Sequence, residues 1–450
     1  MQGGRPVLPV FILDDESAGA WAPGGASRWW LHHSLTALAG QLEKLGAKLI
    51  LRRGSALELI PQLAKQVGAT EVHTGGFAVP SARALDCKVA AALQDDGVAF
   101  HRHRTGMMFN PERIRTGSDG VYGVYSPFAR ACRAVGPPPA IAAPRHIACP
   151  TSPASDRLED WQLLPRHPDW AGGLRETWTP GETGARARLD RFLSDGVADY
   201  AAHRNLPGIA STSMLSPHLA WGELSLPQTW FAAETRQEGT GKGLEVFQSE
   251  LLWREFSIYQ LWHHPDLPEL PLRPNFAAMP WRDDPTGLAA WKRGQTGIPM
   301  VDAGMRQLWQ TGWMHNRMRM VTASFLTKHL LLPWQVGEAW FWDTLVDADL
   351  SSNAGSWQWV AGSGADAAPY FRVFNPVLQG LKFDTDGNYV RRFVPELARL
   401  SNKHLHAPWD ASGQELADAG IVLGKTYPHP IVDLAAGRDR ALAAYRNLAP

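Results

Sequence analysis

The chain has only three cysteines in 450 residues, Cys87, Cys132 and Cys149, and none stands in a Cys-x-x-Cys pair. That leaves no disulfide framework and no thiolate zinc module, and it suits a reducing compartment. No uninterrupted apolar run approaches a membrane span. The first residues lack a basic stretch followed by an apolar core, so nothing points to export. An excess of one charge is missing too: 44 Lys and Arg balance 44 Asp and Glu. This excludes a protein coated in basic residues. It leaves room for a local basic face, because nucleic-acid binding depends on where charge lies. At this length one simple core is not expected, and two domains are. What the chain has in abundance is tryptophan, twenty residues and most of them in the second half, which hints at stacking or aromatic chemistry beyond packing.

The first hundred residues alternate. "VLPVFIL" (7–13) reads as a buried strand. "SRWWLHHSLTALAGQLEKLG" reads as a helix with Ser27 as N-cap and Gly46 as stop. "AKLILRR", "ATEVHTG" and "VAFHRHR" read as further strands, separated by helices over "SALELIPQLAKQVG" and "PSARALDCKVAAALQDDG". Such alternation predicts a doubly wound parallel sheet of α/β type, covered on both faces. Proline and small residues then dominate "VGPPPAIAAPRHIACPTSPAS" in a linker's proportions. After Thr183 the pattern is helical throughout. The expected organisation is an α/β domain over 1–110, a connector over 111–182 and an all-α domain over 183–450.

Four stretches carry chemistry. "ASTSMLSPHLAWGELS" (210–225) sets small hydroxyl residues ahead of a helical run, which suits either a phosphate or a plain helix cap. "SELLWREFSIYQLWHHP" (249–265) puts Glu250, Trp253, Arg254 and Ser257 on one helix face. That face offers a stacking plane and a phosphate partner, or only a Glu250–Arg254 pair at i, i+4. The adjacent His263 and His264 fit no metal-ligand spacing. "TGWMHNRMRM" (311–320), taken as helix, gathers Trp313, Asn316, Arg317 and Met320 on one face, a poor stripe for a core. "DTLVDADLSSNAGSWQWVAGSGADAAPYFRVFNP" (343–376) reads as a polar loop with Asp347, Asp349, Ser351, Ser352 and Asn353 before a glycine-containing turn and "WQW". A polar loop of this kind is costly to bury unless a ligand satisfies it.

Together with "TGIPMVDAGMRQLWQ", these motifs resemble the photolyase/cryptochrome family, specifically its class I cyclobutane pyrimidine dimer photolyases. The likeness is dense over roughly 185–410 and looser before it. The resemblance implies an FAD held in the helical domain by Tyr200, Thr212, Ser213, Met214, Leu215, Ser216, Phe247, Arg254, Trp313, Arg319, Asp347, Ala348 and Asp349, with Asn353 at the flavin N5. It implies an electron-transfer chain of Trp281, Trp334 and Trp357. Glu250, Trp253, Asn316 and Met320 would form the lesion pocket, Glu250, Asn316, Met320 and Asn353 serving catalysis. Arg204, Arg317, Arg372 and Gln379 would join Glu250, Trp253, Arg254 and Asn316 in contacting DNA. The implied activity is light-driven repair: excited reduced FAD passes an electron to a flipped-out dimer, the ring splits and the electron returns. A soluble, cytoplasmic monomer that joins the nucleoid while repairing damaged DNA is expected, with no membrane partner.

The chain departs from that pattern in places. Phe247 stands where relatives often have Trp, and Ala354 and Ser356 alter the small residues before Trp357. Ser118 and Gly120 replace the acidic and amide side chains expected for a folate antenna, so a second chromophore is left without an identity. The family's opening strand and helix have no counterpart here, which points to a truncated or misassigned start. Three rivals share the framework. A cryptochrome-type blue-light receptor tends to carry Asp or Cys where Asn353 stands. A (6-4) photolyase uses His at the positions of Asn316 and Met320. A flavin-binding interaction fold would bind partners without repairing.

Overall fold

The computed structural model describes residues 5–236, 241–366 and 371–448. Residues 367–370, inside the "DAAPYF" motif, lie outside the described residues.

Strands and helices alternate through the first domain: β1 (Val10–Leu13), α1 (Gly25–Lys44), β2 (Ile50–Arg53), α2 (Ala56–Val67), β3 (Glu71–Gly76), α3 (Pro80–Asp95) and β4 (Ala99–Arg104). β1 pairs in parallel with β2 in the register Val10↔Ile50, and β3 with β4 in the register Glu71↔Ala99. The two pairs form separate two-stranded sheets among the described residues. Val72 and Phe100 turn one face of the second sheet onto Ala64, Val89 and Leu93 of α2 and α3. Ser27 is not the cap of α1. The helix starts three residues earlier, behind Gly24, where a Cβ would collide with the Asp343 backbone. Gly25 donates its N–H to Asp343 Oδ1 at 2.8 Å, so the helical domain caps this helix.

That domain docks through tryptophan N–H groups. Trp30 Nε1 donates to Glu223 Oε1 (3.0 Å) and Trp342 Nε1 to the Ala22 carbonyl (2.8 Å), while Trp178 Nε1 ties the connector to the Thr311 carbonyl (2.6 Å). A buried indole brings a large apolar area and one donor that must be paired, so each ring fixes both a contact and a direction. Part of the tryptophan excess is therefore fastening.

The helical domain is layered around α7 (Lys242–His263), α8 (Pro299–Thr311), α9 (Asn316–Ser324), α10 (Trp334–Thr344) and α11 (Leu350–Ala361), with α4 (Tyr125–Val135), α5 (Glu182–Asp195), α6 (Ser216–Ala220) and α12 (Pro376–Phe383) around them. Leu244, Phe247, Leu251, Leu252, Phe256 and Tyr259 recur at helical spacing and bury one side of α7 against α4 and α5. Two expectations change here. "TGWMHNRMRM" is not one helix: Gly312 at φ +65° closes α8, and α9 begins only at Asn316. Trp313 therefore reaches the cleft from the junction rather than from a shared helix face. The "DADLSSNAGSWQW" stretch is no loop either. Asp349 accepts from the Ser352 N–H at 2.8 Å and starts α11, which runs straight through Gly355. Gly337 of α10 lets the Trp357 ring lie against its backbone, since a Cβ there would strike the ring.

Candidate functional site

The candidate cofactor cleft is the place where salt bridges draw α7, the α8–α9 junction and the start of α11 together. Glu250 and Arg254 do not pair with each other along α7. Glu250 meets Arg204 at 2.6 Å, and Arg254 meets Asp349 at 3.2 Å. A third cross-element pair joins Arg319 to Asp347 at 2.7 Å, and Arg319 Nε also donates to the Met314 carbonyl. Two guanidinium–carboxylate pairs thus flank the start of α11. Burial pushes the Asp349 carboxyl up, but Arg254 and hydrogen bonds from Ser351 and Ser352 outweigh it and hold the group below its ordinary value. Arg254 Nε and Asp347 Oδ1 are nevertheless buried without a hydrogen-bond partner. Orphaned polar atoms beside paired charges suit a bound polar cofactor.

From the α8–α9 junction, Trp313 Nε1 donates to Ser216 Oγ at 3.0 Å. Met214 holds a left-handed φ of +49°, rare for a side chain of its size, and Arg188 points a guanidinium N–H at its sulfur. Thr212 and Ser213 are half-buried beside it, and Leu215 is buried. Tyr200 packs edge-on against Phe192 and Phe247, and burial, with Glu250 nearby, pushes its phenol up to about 12. Asn353 is buried on α11 and donates its amide to the Glu338 carbonyl at 3.0 Å, which leaves Oδ1 as its remaining polar atom. Ala348 is half-buried between the two aspartates.

At the rim, Asn316 is exposed and Met320 half-buried, one helical turn apart on α9. Trp253 stacks flat on Tyr125 with ring centroids 3.8 Å apart. Burial pushes the Glu250 carboxyl up, against the pull of Arg204. Arg317 donates to Asn205 at 2.7 Å and lies over the Phe383 ring. Burial lowers the Arg317 pKa, and the Arg204 and Arg372 guanidiniums lower it further. Glu250 already offsets Arg204, so Arg317 and Arg372 are the guanidiniums left to attract an anion here. Gln379 is half-buried on α12, and its Oε1 has no partner.

Trp334 and Trp357 share one buried cluster, against which Trp281 packs half-buried. The ring neighbours of Trp357 are Phe341 at 5.0 Å and Trp291 at 6.2 Å. Trp291 escaped sequence reasoning; a tryptophan in an amphipathic stretch looks like any core residue. His315 escaped it too. Its Nδ1 accepts the Arg317 N–H and caps α9, and burial with the arginines 317, 204 and 319 holds the ring neutral, down to about 3. Its place just before the first helical residue was the available signal.

A helical domain whose cleft collects paired arginines and carboxylates, docked on a small parallel α/β domain, defines a two-domain protein built around a buried polar cofactor. Within that class, the chain belongs to the photolyase/cryptochrome family. Residues 1–145 match the DNA photolyase model, and 247–447 match the FAD binding domain of DNA photolyase. A deoxyribodipyrimidine photo-lyase of Agrobacterium fabrum is 49% identical over 99% of this chain and 93% of the relative. The crystal structure of a class III photolyase from Agrobacterium tumefaciens superposes with a TM-score of 0.96 at 48% identity, covering 99% of this chain and 93% of the other. A Synechocystis cryptochrome superposes with a TM-score of 0.89 at 27% identity, covering 98% and 94%.

Proposed function

We propose that this chain is a deoxyribodipyrimidine photo-lyase that binds reduced FAD in the cleft and repairs cyclobutane pyrimidine dimers in light. The supporting observation is the pairing of Arg254 with Asp349 and Arg319 with Asp347 around orphaned polar atoms, in a chain 49% identical to a named photo-lyase. Arg254, Arg319, Asp347 and Asp349 would hold the cofactor with Tyr200, Phe247, Trp313 and the run Thr212 to Ser216. When bound, the flavin supplies the excited-state electron that splits the dimer. Asn353 offers Oδ1 as an acceptor and no carboxylic proton, which suits a reduced flavin. Trp253, with one face already covered by Tyr125, presents an apolar plane to a flipped-out lesion. Glu250 and Asn316 address the polar edges of its bases, and Met320 fills the space beside them. Arg204, Arg317 and Arg372 meet the phosphates, with Gln379 at the edge. The protein's own work is to position, to desolvate and to receive the flipped lesion.

The class I expectation drawn from the motifs finds no support in the comparisons. The similarity to a class III structure favours that branch. A division near residues 110 and 182 is supported by the end of the last strand at Arg104 and the start of α5 at Glu182, although α4 within the connector packs against α7 in the helical domain. For a second chromophore of unassigned identity, the candidate place is a cleft of about 540 Å³ between β4, α3 and α7, lined by Arg83, Arg102, Asn110 and Trp262. Arg83 lies 3.8 Å from the Trp262 ring centroid there, a setting for a flat anionic molecule. Among the described residues no helix is long and apolar enough to cross a membrane; a cytoplasmic monomer is the expectation taken from the family resemblance alone.

The test is to add dimer-containing DNA and blue light to the reduced protein and assay dimer loss. Light-dependent loss is expected. A protein that binds FAD and photoreduces it yet repairs nothing would instead favour the cryptochrome reading. Trp281→Phe should slow photoreduction of oxidised FAD and leave repair by pre-reduced protein largely intact. Equal loss of both would remove Trp281 from the electron path.

A further inference from the structure

The outer face of the β3–β4 sheet carries four residues that the repair reading does not use. Alternation along β3 places Glu71 and His73 on one face, and alternation along β4 places His101 and His103 there as well. The register sets His73 directly beside His101 and Gly75 beside His103. The opposite face, with Val72 and Phe100, packs on the helices, so these four turn outward. His73, His101 and His103 are exposed and Glu71 is half-buried.

The side chains are close and ordered relative to one another. Ligand atoms of Glu71, His73 and His101 all lie within 4.8 Å of one another. His73 Nε2 is 3.1 Å from Glu71 Oε2. Two ligand atoms on one tetrahedral zinc ion lie roughly 3.3 Å apart, given Zn–N lengths of about 2.0–2.1 Å. The other nitrogen of His73, Nδ1, is 2.8 Å from His103 Nε2. The His73 ring is stacked with His101 at 4.7 Å and with His103 at 5.1 Å, the planes within 19° and 14° of parallel. Arg5 engages Glu71 through Oε1 at 2.5 Å, so the oxygen turned toward His73 is the other one.

We propose that Glu71, His73 and His101 form a surface site for a divalent transition metal of the zinc type, which ties β3 to β4. Two imidazoles and a carboxylate are the donors such an ion prefers over the hard, all-oxygen set of magnesium or calcium. Three protein ligands leave a fourth position for water. Without the ion, His73 Nε2–H faces the Glu71 carboxylate; metal binding displaces that proton. His103, whose Nε2 lies 2.8 Å from His73 Nδ1, is a positioning residue that accepts from Nδ1–H in the tautomer whose Nε2 coordinates. Linear spacing hides the site, because the ligands come from two strands nearly thirty residues apart and meet only through the parallel register.

The test uses the full chain, stripped with a chelator and titrated with zinc chloride by calorimetry, and with cobalt(II) for its visible d–d absorption. One saturable equivalent is expected, together with a zinc-dependent rise in melting midpoint. His73→Ala and His101→Ala should each weaken binding at least about tenfold, and His103→Ala about tenfold. His146→Ala, an exposed histidine elsewhere, should change nothing. Circular dichroism of each variant separates lost ligation from lost fold, and the substitutions sit on a solvent-facing surface that ordinary folding does not need. Absence of a saturable equivalent, or equal binding by folded His73→Ala and His101→Ala proteins, overturns the proposal.

Discussion

The cleft of the helical domain and the outer face of the β3–β4 sheet both gather polar side chains, by opposite means. In the cleft, Arg254 and Asp349 stand 95 positions apart in the sequence, Arg254 on largely buried α7 and Asp349 as the cap of largely buried α11. At the sheet, Glu71, His73, His101 and His103 meet through strand alternation and register, in the open. Charges in the cleft are partly desolvated, so each leans on its partner and on whatever polar ligand completes the set. Charges on the sheet face are solvated, so losing one costs the fold little. Substitution should therefore hurt folding and ligand binding together in the cleft, and ligand binding alone at the sheet.

The strongest way to break that contrast is Arg254→Ala. It leaves Asp349 without its cation inside the cleft, a loss of about 3 kcal/mol for a pair of this burial. Purified Arg254→Ala protein should come off the column colourless and melt several degrees lower. Flavin absorbance and a melting curve report both; a yellow protein of normal stability would mean the pair is not part of the cofactor cradle. Next in size, Arg317→Ala should weaken binding to dimer-containing DNA about tenfold and reduce the salt slope by about one, as for one lost phosphate contact. Fluorescence anisotropy across a salt series measures it. An unchanged slope would place Arg317 in packing on Phe383 rather than on DNA.

Legibility followed the same divide. The cleft was readable because its residues lie in long motifs whose order the family shares, so a resemblance delivered positions such as Arg254, Asp349 and Asn353 at once. It was unreadable where the answer depended on partners. The i, i+4 spacing offered a Glu250–Arg254 pair, while the fold gives each a different mate, since Arg204 and Asp349 approach from other elements and offer better-desolvated contacts. The polar "DADLSSN" run looked like loop because Asp, Ser and Asn favour turns. An Asx cap made it a helix start instead. Ser27 failed as a cap because the helical domain capped α1 from outside. The strand–helix alternation of the first domain was legible from period and punctuation alone. The separation into two parallel pairs was not, because alternation says nothing about which strands hydrogen-bond. A π-turn over Phe325–His329, which buries Lys328 against the Ala361 carbonyl, left no mark in the sequence either.

Glu338 sharpens the comparison through pH. Its carboxyl is fully buried on α10, and neither oxygen has a partner. Burial, with Glu269 adding to it, pushes the group up from 4.5 to about 9. The folded state thus holds a proton that the unfolded chain releases near its ordinary value. The stability this contributes is full below about pH 4.5 and is lost as pH rises through about 9. Glu338→Gln has no proton to lose. Its melting midpoint should match the wild type near pH 4.5 and exceed it by a few degrees near pH 9. Parallel curves for the two proteins across that range would show that the carboxyl is ionised and solvated.

The smallest expected effect belongs to the sheet face, where Arg5 holds Glu71 in solvent. Arg5→Ala should leave the melting midpoint where it was, because an exposed ion pair of this kind contributes little. It should still be felt by a metal. The guanidinium draws electron density toward Oε1 and places a positive charge beside any cation bound at Oε2, so removing it should tighten zinc binding about two- to threefold, by relief of a screened like-charge repulsion. High salt should erase the difference between the two proteins. Calorimetry at low and high ionic strength separates these outcomes. A stability change without an affinity change would mean that Arg5 is part of the fold, and that the sheet face depends on its charges as the cleft does.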